Sequence, residues 1–167
     1  MITNNYMPRL LLAVVCTAFI SVTALAADPS MPLNEDEVSL QKIKTFFDAA
    51  FLKATFDEDG DLRIEDGGFK VFVKVDREKK LIIFISAFNL KASVPAIKKL
   101  QFVNTLNADL IFARFSMRGP TTLLCDYQLL YEGGITPYTV VNNYRLYAKV
   151  INGAVCTQDP EDIIGSD

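Results

Sequence analysis

Two neighbouring segments near the middle of the chain constrain the fold more than any other feature. Along 69–75, apolar residues at every second position alternate with Lys70 and Lys74, the period of a strand with one buried face. Every side chain in 81–85 is apolar, which is typical of a strand covered on both faces. The polar residues 76–79 indicate a turn between them. We therefore predict an antiparallel sheet with 81–85 in its interior.

Helical patterns precede and follow this pair of strands. Asn34 is a good N-cap, and apolar residues then recur at helical spacing, from Leu40 to Phe51, so we predict a helix from Asn34 to about Lys53. A second helix is predicted from Ser93 to about Asn107. Thr136 and Pro137 begin a third, which Asn152-Gly153 should close.

The remaining turn signals separate shorter strands. Asp59-Gly60 predicts a tight hairpin turn, and Arg118-Gly119-Pro120 separates strands predicted at 110–117 and 121–131. The order of elements is then α-βββ(β)-α-ββ-α. This order predicts an α+β fold, with an antiparallel sheet of about five strands and flanking helices.

The N-terminus has the pattern of an export signal. Arg9 precedes an apolar run, and Ala24-Leu25-Ala26 provides small residues at a cleavable spacing. We predict that residues 1–26 are a signal peptide that is removed, followed by a short linker at 27–33, one domain at 34–157 and an acidic tail at 158–167. The apolar run is shorter than the roughly 20 residues that span a bilayer, and no later stretch is long enough, so no membrane span is expected after removal. The location predicted is periplasmic or secreted.

Composition and charge limit the chemistry that the chain can perform. It contains no histidine, which excludes Ser-His-Asp and Cys-His catalysis. Its net charge is −3, with basic residues scattered along the chain, which argues against nucleic-acid binding. Neither a phosphate-binding loop nor a dinucleotide fingerprint is present, and we expect no cofactor. A pair of carboxylates in a cleft stays open as a hydrolytic alternative.

Two cysteines lie in the predicted mature chain. Cys125 is on the last predicted strand and Cys156 follows the last predicted helix, which should run back antiparallel to that strand. The strand and the helix each span about 20 Å, so the two cysteines are expected to meet. In an exported protein this placement favours a disulfide, the alternative being two buried thiols.

An acidic run between 57 and 66 raises the question of a metal site. The run does not fit an EF-hand, because glycine falls at the fourth position and no glutamate occupies the twelfth. We predict a solvated hairpin tip and no metal site, and keep Asp57, Asp59 and Asp61 only as a weak candidate for a surface cation.

Polar residues within apolar patterns are the remaining candidates. Asn104 lies seven residues from Ile97, and Asn107 seven from Leu100, so both are predicted on the apolar side of the second helix in structural roles, with ligand binding as the alternative. On the last strand, the face opposite Cys125 mixes apolar with polar residues. We predict this face as a partner-binding surface, half-burial under a helix being the alternative; its residues are Leu124, Asp126, Gln128 and Leu130.

Several short motifs together resemble the YbjN family, which is described as a group of proposed bacterial sensory transduction regulators. They are Phe102-Val103-Asn104-Thr105-Leu106-Asn107, Phe112-Ala113-Arg114-Phe115, Leu123-Leu124-Cys125-Asp126-Tyr127 and Gly133-Gly134-Ile135-Thr136. The resemblance extends from about Leu52 to Val150. It implies a fold similar to the type III secretion chaperones, which often form dimers and bind protein segments, and it implies no catalytic residues. Leu106 stands where the family often has tryptophan, and the export signal departs from a cytoplasmic regulatory role.

These inferences lead to three hypotheses for function. The first is a non-enzymatic periplasmic or secreted protein-binding, regulatory module that holds an unidentified protein partner and forms a homodimer. The second is an envelope protein that binds a small ligand or a cation. The third is a hydrolase that uses paired carboxylates.

Overall fold

The chain forms six β-strands, three α-helices and one 3-10 helix in the part that the computed structural model describes. This part is the backbone of residues 31–66, 68–157, 159 and 161–165, with their side chains except at 66 and 155–157. The predicted signal peptide, residues 27–30 of the predicted linker and four residues of the predicted tail lie outside it.

The elements follow the predicted order. The 3-10 helix is Glu35–Glu37, and the helices are α1 (Leu40–Ala49), α2 (Ala96–Asp109) and α3 (Pro137–Thr157). The strands are β1 (Ala54–Phe56), β2 (Leu62–Asp66), β3 (Phe69–Asp76), β4 (Leu81–Asn89), β5 (Arg114–Arg118) and β6 (Thr122–Leu130). The α+β prediction is confirmed, with six strands where about five were expected.

All six strands belong to one antiparallel sheet in the order β1-β2-β3-β4-β6-β5. β4 lies inside the sheet, as its apolar sequence predicts, and pairs with β6 over nine residues from Leu81 opposite Leu130 to Asn89 opposite Thr122. The two edges are short strands, which limits the length of unpaired backbone that they expose.

The three helices lie on the same face of the sheet. Phe84 of β4 contacts the rings of Tyr144 and Tyr147 on α3, and Tyr144 also contacts Phe47 on α1. α2 is held to β5 by a side chain at its end, Asn107, which bonds to the backbone of Phe115. The apolar core therefore lies between this face and the helices, and the opposite face has no helix over it among the described residues.

The first predicted helix is split in two. Asn34 precedes only the 3-10 turn, its backbone N–H donating to the Glu37 carboxylate at 3.0 Å. α1 begins after a second cap, Ser39, whose hydroxyl accepts from the Lys42 N–H at 3.3 Å. α1 ends at Ala49, and Phe51, which we predicted within the buried stripe, adopts a φ of 62° and is 97% exposed. A left-handed residue ends a helix, so the apolar pattern extended past its true end.

The last helix begins as predicted and ends later. The Thr136 hydroxyl accepts from the Thr139 N–H at 3.0 Å, and Pro137 opens α3. α3 then continues through Gly153 to Thr157, so the prediction that Asn152-Gly153 closes it is wrong. Gly153 is not among the residues with positive φ, and it therefore lacks the conformation of a helix-ending glycine.

Both ends of the described chain are attached to the domain. Leu33, within the predicted linker, exchanges backbone hydrogen bonds with Ile135 at 2.8 and 2.9 Å. In the predicted acidic tail, Ile164 forms a bridge with Leu90, and Ile163 is buried. The described residues of this tail therefore contribute apolar side chains to the core.

Candidate interaction surface

Alternation along β6 separates a helix-covered face from an open one. Leu123, Cys125 and Leu129 are buried beneath the helices, and the Tyr147 hydroxyl of α3 donates to the Cys125 carbonyl at 2.9 Å. Tyr127, on the same face, donates to Asn143 of α3 at 2.9 Å. The residues between them must point to the face that the helices leave uncovered.

These intervening residues are the four that we predicted as a partner-binding surface. Leu124 is half-buried, Gln128 is exposed, and Leu130 is 58% exposed. Asp126 differs, because it is only 5% exposed. The structure thus brings all four onto one open sheet face; it contains no partner, so their binding role stays a prediction.

The neighbouring strands add apolar side chains to the same face. The register sets Ile83 of β4 opposite Gln128, and Ile85 opposite both Asp126 and Phe72 of β3. We use the name open-face patch for the six apolar residues Phe72, Leu81, Ile83, Ile85, Leu124 and Leu130. Four of the six lie outside the predicted surface.

The sequence did contain a signal for the missed residues of the open-face patch. We interpreted the continuous apolar run 81–85 as a strand covered on both faces, yet its Ile83 and Ile85 are only half-buried. Three helices that all pack on one face leave such a strand half uncovered. An apolar run on an interior strand is therefore also compatible with a surface reserved for another molecule.

Asp126 is held by an arginine from the edge strand. The Arg114 guanidinium donates from Nε to Oδ1 and from Nη2 to Oδ2, both at 3.0 Å. The arginine side chain itself is 67% exposed and extends over the carboxylate. This two-bond pairing satisfies the nearly buried carboxylate and ties the edge strand β5 to its neighbour β6.

The far end of β6 has an open edge. Just outside β6, the Tyr131 N–H donates to the Lys80 carbonyl, and the Thr121 carbonyl accepts from the Leu90 N–H. These backbone groups therefore point toward β4. By alternation, the backbone groups of Gln128 and Leu130 point away from β4. β5 pairs with β6 only as far as Asp126, so no strand among the described residues covers that edge.

A shallow depression of about 470 Å³ adjoins this edge. The Phe112 ring stacks on Tyr127 with ring centroids 4.0 Å apart and forms part of its wall. Arg114, Asp126 and Gln128 supply polar groups to the same wall. An extended peptide laid along β6 would therefore meet unpaired backbone groups, an aromatic surface and a charged pair.

The two asparagines of α2 have different environments. Asn107 has a structural role, since its amide donates to the Phe115 carbonyl at 2.8 Å and accepts from the Phe115 N–H at 2.9 Å. Asn104 is exposed, and so are Ile97 and Leu100, which we used to define the apolar side of the helix. The buried side of α2 instead carries Phe102, Val103, Leu106 and the long side chain of Lys99.

Cys125 is a buried free thiol in the structure, and the side chain of Cys156 lies outside the described residues. Burial, and to a smaller extent the charge of Asp126, raises the pKa of the Cys125 thiol far above its ordinary range. Cys156 does not follow the last helix as predicted; it lies within α3, nine residues beyond Tyr147, which is about 13 Å of helix rise. The predicted disulfide between Cys125 and Cys156 therefore stays untested.

The acidic hairpin tip is organised by its own backbone. Asp57 Oδ1 accepts from the N–H groups of Asp59 and Asp61 at 3.1 and 2.9 Å, and Asp61 pairs with Lys74 at 2.6 Å. No group of three or more acidic, cysteine or histidine residues in the described part of the chain is placed to hold a metal ion. The weak cation candidate therefore gains no support from the geometry.

Comparison with known proteins identifies the family to which this chain belongs. The sequence profile described as "YbjN: Putative bacterial sensory transduction regulator" matches residues 39–153. The chain belongs to the YbjN family. This confirms the resemblance of the short motifs and places α1 to most of α3 within the family's domain.

A solved structure supports the fold of this YbjN family member. The crystal structure of YbjN from E. coli, described there as "a putative transcription regulator", matches with a TM-score of 0.65 and 12% identity over 77% of this chain and 97% of that one. The HopA1-SchA chaperone-effector complex matches with a TM-score of 0.48 and 14% identity over 66% of this chain and 88% of that one. No curated protein matches the sequence. Among the described helices, none combines the length and apolar character needed to cross a bilayer.

Proposed function

We propose that this protein is a non-enzymatic protein-binding module with a regulatory role, located in the periplasm or secreted. It holds an extended segment of a partner protein against the open-face patch and the free edge of β6. The observation that carries the proposal is the one-sided arrangement of the helices, which leaves apolar side chains of β3, β4 and β6 without cover. A contiguous apolar face that no helix covers is typical of an interaction site.

The charge of the open face favours a particular partner chemistry. By alternation, its basic residues are Arg63, Lys70, Lys74, Arg114 and Arg118, and its acidic residues are Glu65, Asp76 and Asp126. With Asp61, which pairs with Lys74, there are four acidic residues against five basic ones, so the face has a small positive excess although the chain carries a net charge of −3. A segment that alternates apolar with acidic residues would match both properties, and its backbone would extend the sheet.

A photo-crosslinking amino acid placed at Leu130 tests the binding surface in the native bacterial envelope. We expect one recurrent crosslinked protein from this position, and none of that mass from the same probe at Leu146, an exposed residue of α3. Ile83→Asp, on the open face of the neighbouring strand, should abolish the Leu130 product. Identical products from the two probe positions, or no product from Leu130, would contradict the proposal.

The proposed location is supported by the leader pattern alone. The mass of the mature protein recovered from an envelope or culture fraction tests it directly. Cleavage after Ala26 gives a chain that starts at Ala27. A full-length chain in the cytosol would exclude the periplasmic or secreted location without affecting the binding surface.

A further inference from the structure

Residues 163–165 of the predicted acidic tail lie antiparallel to residues 89–91, at the end of β4. We call 163–165 the tail strand and 89–91 the acceptor edge. Two backbone hydrogen bonds join them, Lys91 N–H to the Ile163 carbonyl at 2.9 Å and Gly165 N–H to the Asn89 carbonyl at 2.8 Å. The tail strand therefore extends the sheet by a short piece of backbone.

The sheet holds the acceptor edge in place from its other side. The Leu90 N–H donates to the Thr121 carbonyl, next to β6, at 2.7 Å. By alternation, the backbone groups of Asn89 and Lys91 point the opposite way, toward the side of β4 on which β3 lies. β3 pairs with β4 only as far as Ile85, so among the described residues it is the tail strand that covers this edge. If the tail strand left, the acceptor edge would stay formed and its backbone groups would be free to pair.

The residues just before the tail strand fasten it to basic side chains around the acceptor edge. Glu161 pairs with Lys98 at 2.6 Å, and Asp162 pairs with Lys91. The two acidic side chains are 54% and 82% exposed, and exposed ion pairs contribute little to stability and are weakened by salt. Ile163, which follows them, is only 3% exposed and belongs to the core. The acceptor edge thus binds two acidic residues followed by two apolar ones.

The tail strand also depends on a turn that the tail makes by itself. Both oxygens of the Asp159 carboxylate accept hydrogen bonds, from the Ile163 N–H at 2.7 Å and from the Ile164 N–H at 2.8 Å. These bonds shape the tail but do not attach it to the domain. The attachment of 161–165 therefore consists of two backbone bonds, two exposed ion pairs and the burial of two isoleucine side chains. A segment held by so few contacts opens locally, without unfolding of the sheet.

We infer that the acceptor edge is a second protein-binding site, which the chain's own tail strand occupies in competition with a partner. The partner that fits is an extended protein segment in which two acidic residues precede two apolar ones, because the tail presents this chemistry to the same edge. The segment pairs antiparallel with 89–91, and its carboxylates replace Glu161 and Asp162 beside Lys98 and Lys91. Release of the tail strand makes this site available.

This site goes beyond the proposed function and does not rest on it. The free edge of β6 begins at Gln128, whereas the acceptor edge lies beside Thr121, at the other end of the pairing between β4 and β6. The open-face patch is made of side chains on the face of the sheet, not of backbone groups at the end of β4. The two sites can therefore be disabled separately.

Fluorescence anisotropy on the full chain tests the inference, with a labelled peptide of residues 159–167 as the probe. Ile163→Asp in the protein should release its own tail strand and strengthen peptide binding by about tenfold or more, because the competitor is removed. Asp159→Ala weakens the turn without touching the core and should act in the same direction, which covers the case in which Ile163→Asp does not fold. If neither variant binds the peptide more tightly than the wild type, the inference is overturned.

Matched controls separate this site from other effects of the substitutions. Leu146→Asp, which adds an acidic residue on the exposed side of α3, should leave peptide binding as weak as in the wild type. A peptide that itself carries Ile163→Asp should bind to none of these proteins. Ile83→Asp should abolish the Leu130 crosslink and leave peptide binding unchanged, so the proposed function and this inference fail in different experiments.

Amide hydrogen exchange gives a second test on the unmodified chain. The Lys91 N–H bonds to the tail strand, and the neighbouring Leu90 N–H bonds toward β6. After correction for intrinsic rates, we expect the Lys91 amide to exchange faster than the Leu90 amide by about tenfold or more, since opening of the tail strand exposes only the first. Added salt should increase this ratio, because it screens the two ion pairs. Equal rates for the two amides would mean that the tail strand opens only with the sheet, and would contradict the inference.

Discussion

At the scale of single residues, the Arg114–Asp126 pair connects stability with the proposed binding surface. The Asp126 carboxylate is almost fully enclosed by the sheet, and Arg114 supplies two of its hydrogen bonds from an exposed position. If such donors are removed, the buried carboxylate has lost its contact with water and gains nothing in return. The resulting loss of folding stability is larger than the net stabilisation that the ion pair provides. The pair is therefore needed for the edge strand even though one partner is open to solvent.

We predict that Arg114→Ala lowers the free energy of unfolding by about 1–3 kcal/mol, because Asp126 loses its main donors. Arg114→Lys should recover only part of this, since an ammonium group cannot form both bonds in the planar arrangement. Urea unfolding of the three proteins measures the difference. If Arg114→Lys were as stable as the wild type, two-bond pairing would not be what stabilises the carboxylate.

The raised pKa of the Cys125 thiol should make the protein less stable in alkaline solution. Its pKa is raised in the folded protein by burial and by the Asp126 charge, whereas the thiol of the unfolded chain ionises near its ordinary value of 9.0. The contribution of this thiol to the free energy of unfolding is therefore complete below pH 9, and it is lost as the pH rises above 9. Between pH 8 and 10 the free energy of unfolding in reducing buffer should fall by about 1.4 kcal/mol more in wild type than in Cys125→Ala. Equal falls in both proteins would show that the folded thiol ionises freely.

The sequence identified some of these residues and missed the role of others. Asn107 was predicted to be structural, and it is, because an amide can replace a strand partner by donating and accepting at once. Asn104 was placed in the same role, yet it faces solvent. Periodicity gives the relative angle between side chains on a helix, but only tertiary packing decides which of two apolar-looking sides is buried.

At the scale of elements, the start of α3 was predicted correctly, whereas the start of α1 and the ends of α1 and α3 were not. Thr136-Pro137 sets the first residue of α3 through local capping, which a short stretch of sequence fully specifies. The ends depend on what the next residues contact. α1 stops where Phe51 turns into the left-handed region, and α3 continues across a glycine that usually ends helices.

The glycines provide a prediction at this scale. Gly153 lies inside α3 with open space where a Cβ would be, so Gly153→Ala should raise the free energy of unfolding by roughly 0.5–1 kcal/mol. Gly134 has a φ of 110°, and a Cβ there would lie 2.5 Å from the Leu33 carbonyl oxygen. Gly134→Ala should therefore destabilise the protein strongly. Thermal unfolding compares the two, and destabilisation by Gly153→Ala would mean that α3 does end at 152–153.

At the scale of the whole molecule, the order of elements and the antiparallel sheet followed from the sequence. Alternation along β3 and the apolar run of β4 fixed the interior of the sheet, and the turn residues fixed its hairpins. The placement of the helices did not follow, because nothing local indicates which face of the sheet a helix will cover. That choice left Ile83 and Ile85 on an open face, although we had expected β4 to be covered on both faces.

Two adjacent leucines of β6 test this one-sided arrangement most directly. Leu130 is 58% exposed on the open face, and Leu129 is 8% exposed beneath the helices. Maleimide labelling of folded Leu130→Cys and Leu129→Cys, read by peptide mass spectrometry, compares the two faces. The structure predicts that the cysteine at 130 reacts faster by roughly tenfold or more. Slow labelling at both positions would mean that the face is covered by the protein itself and would contradict the proposed binding surface.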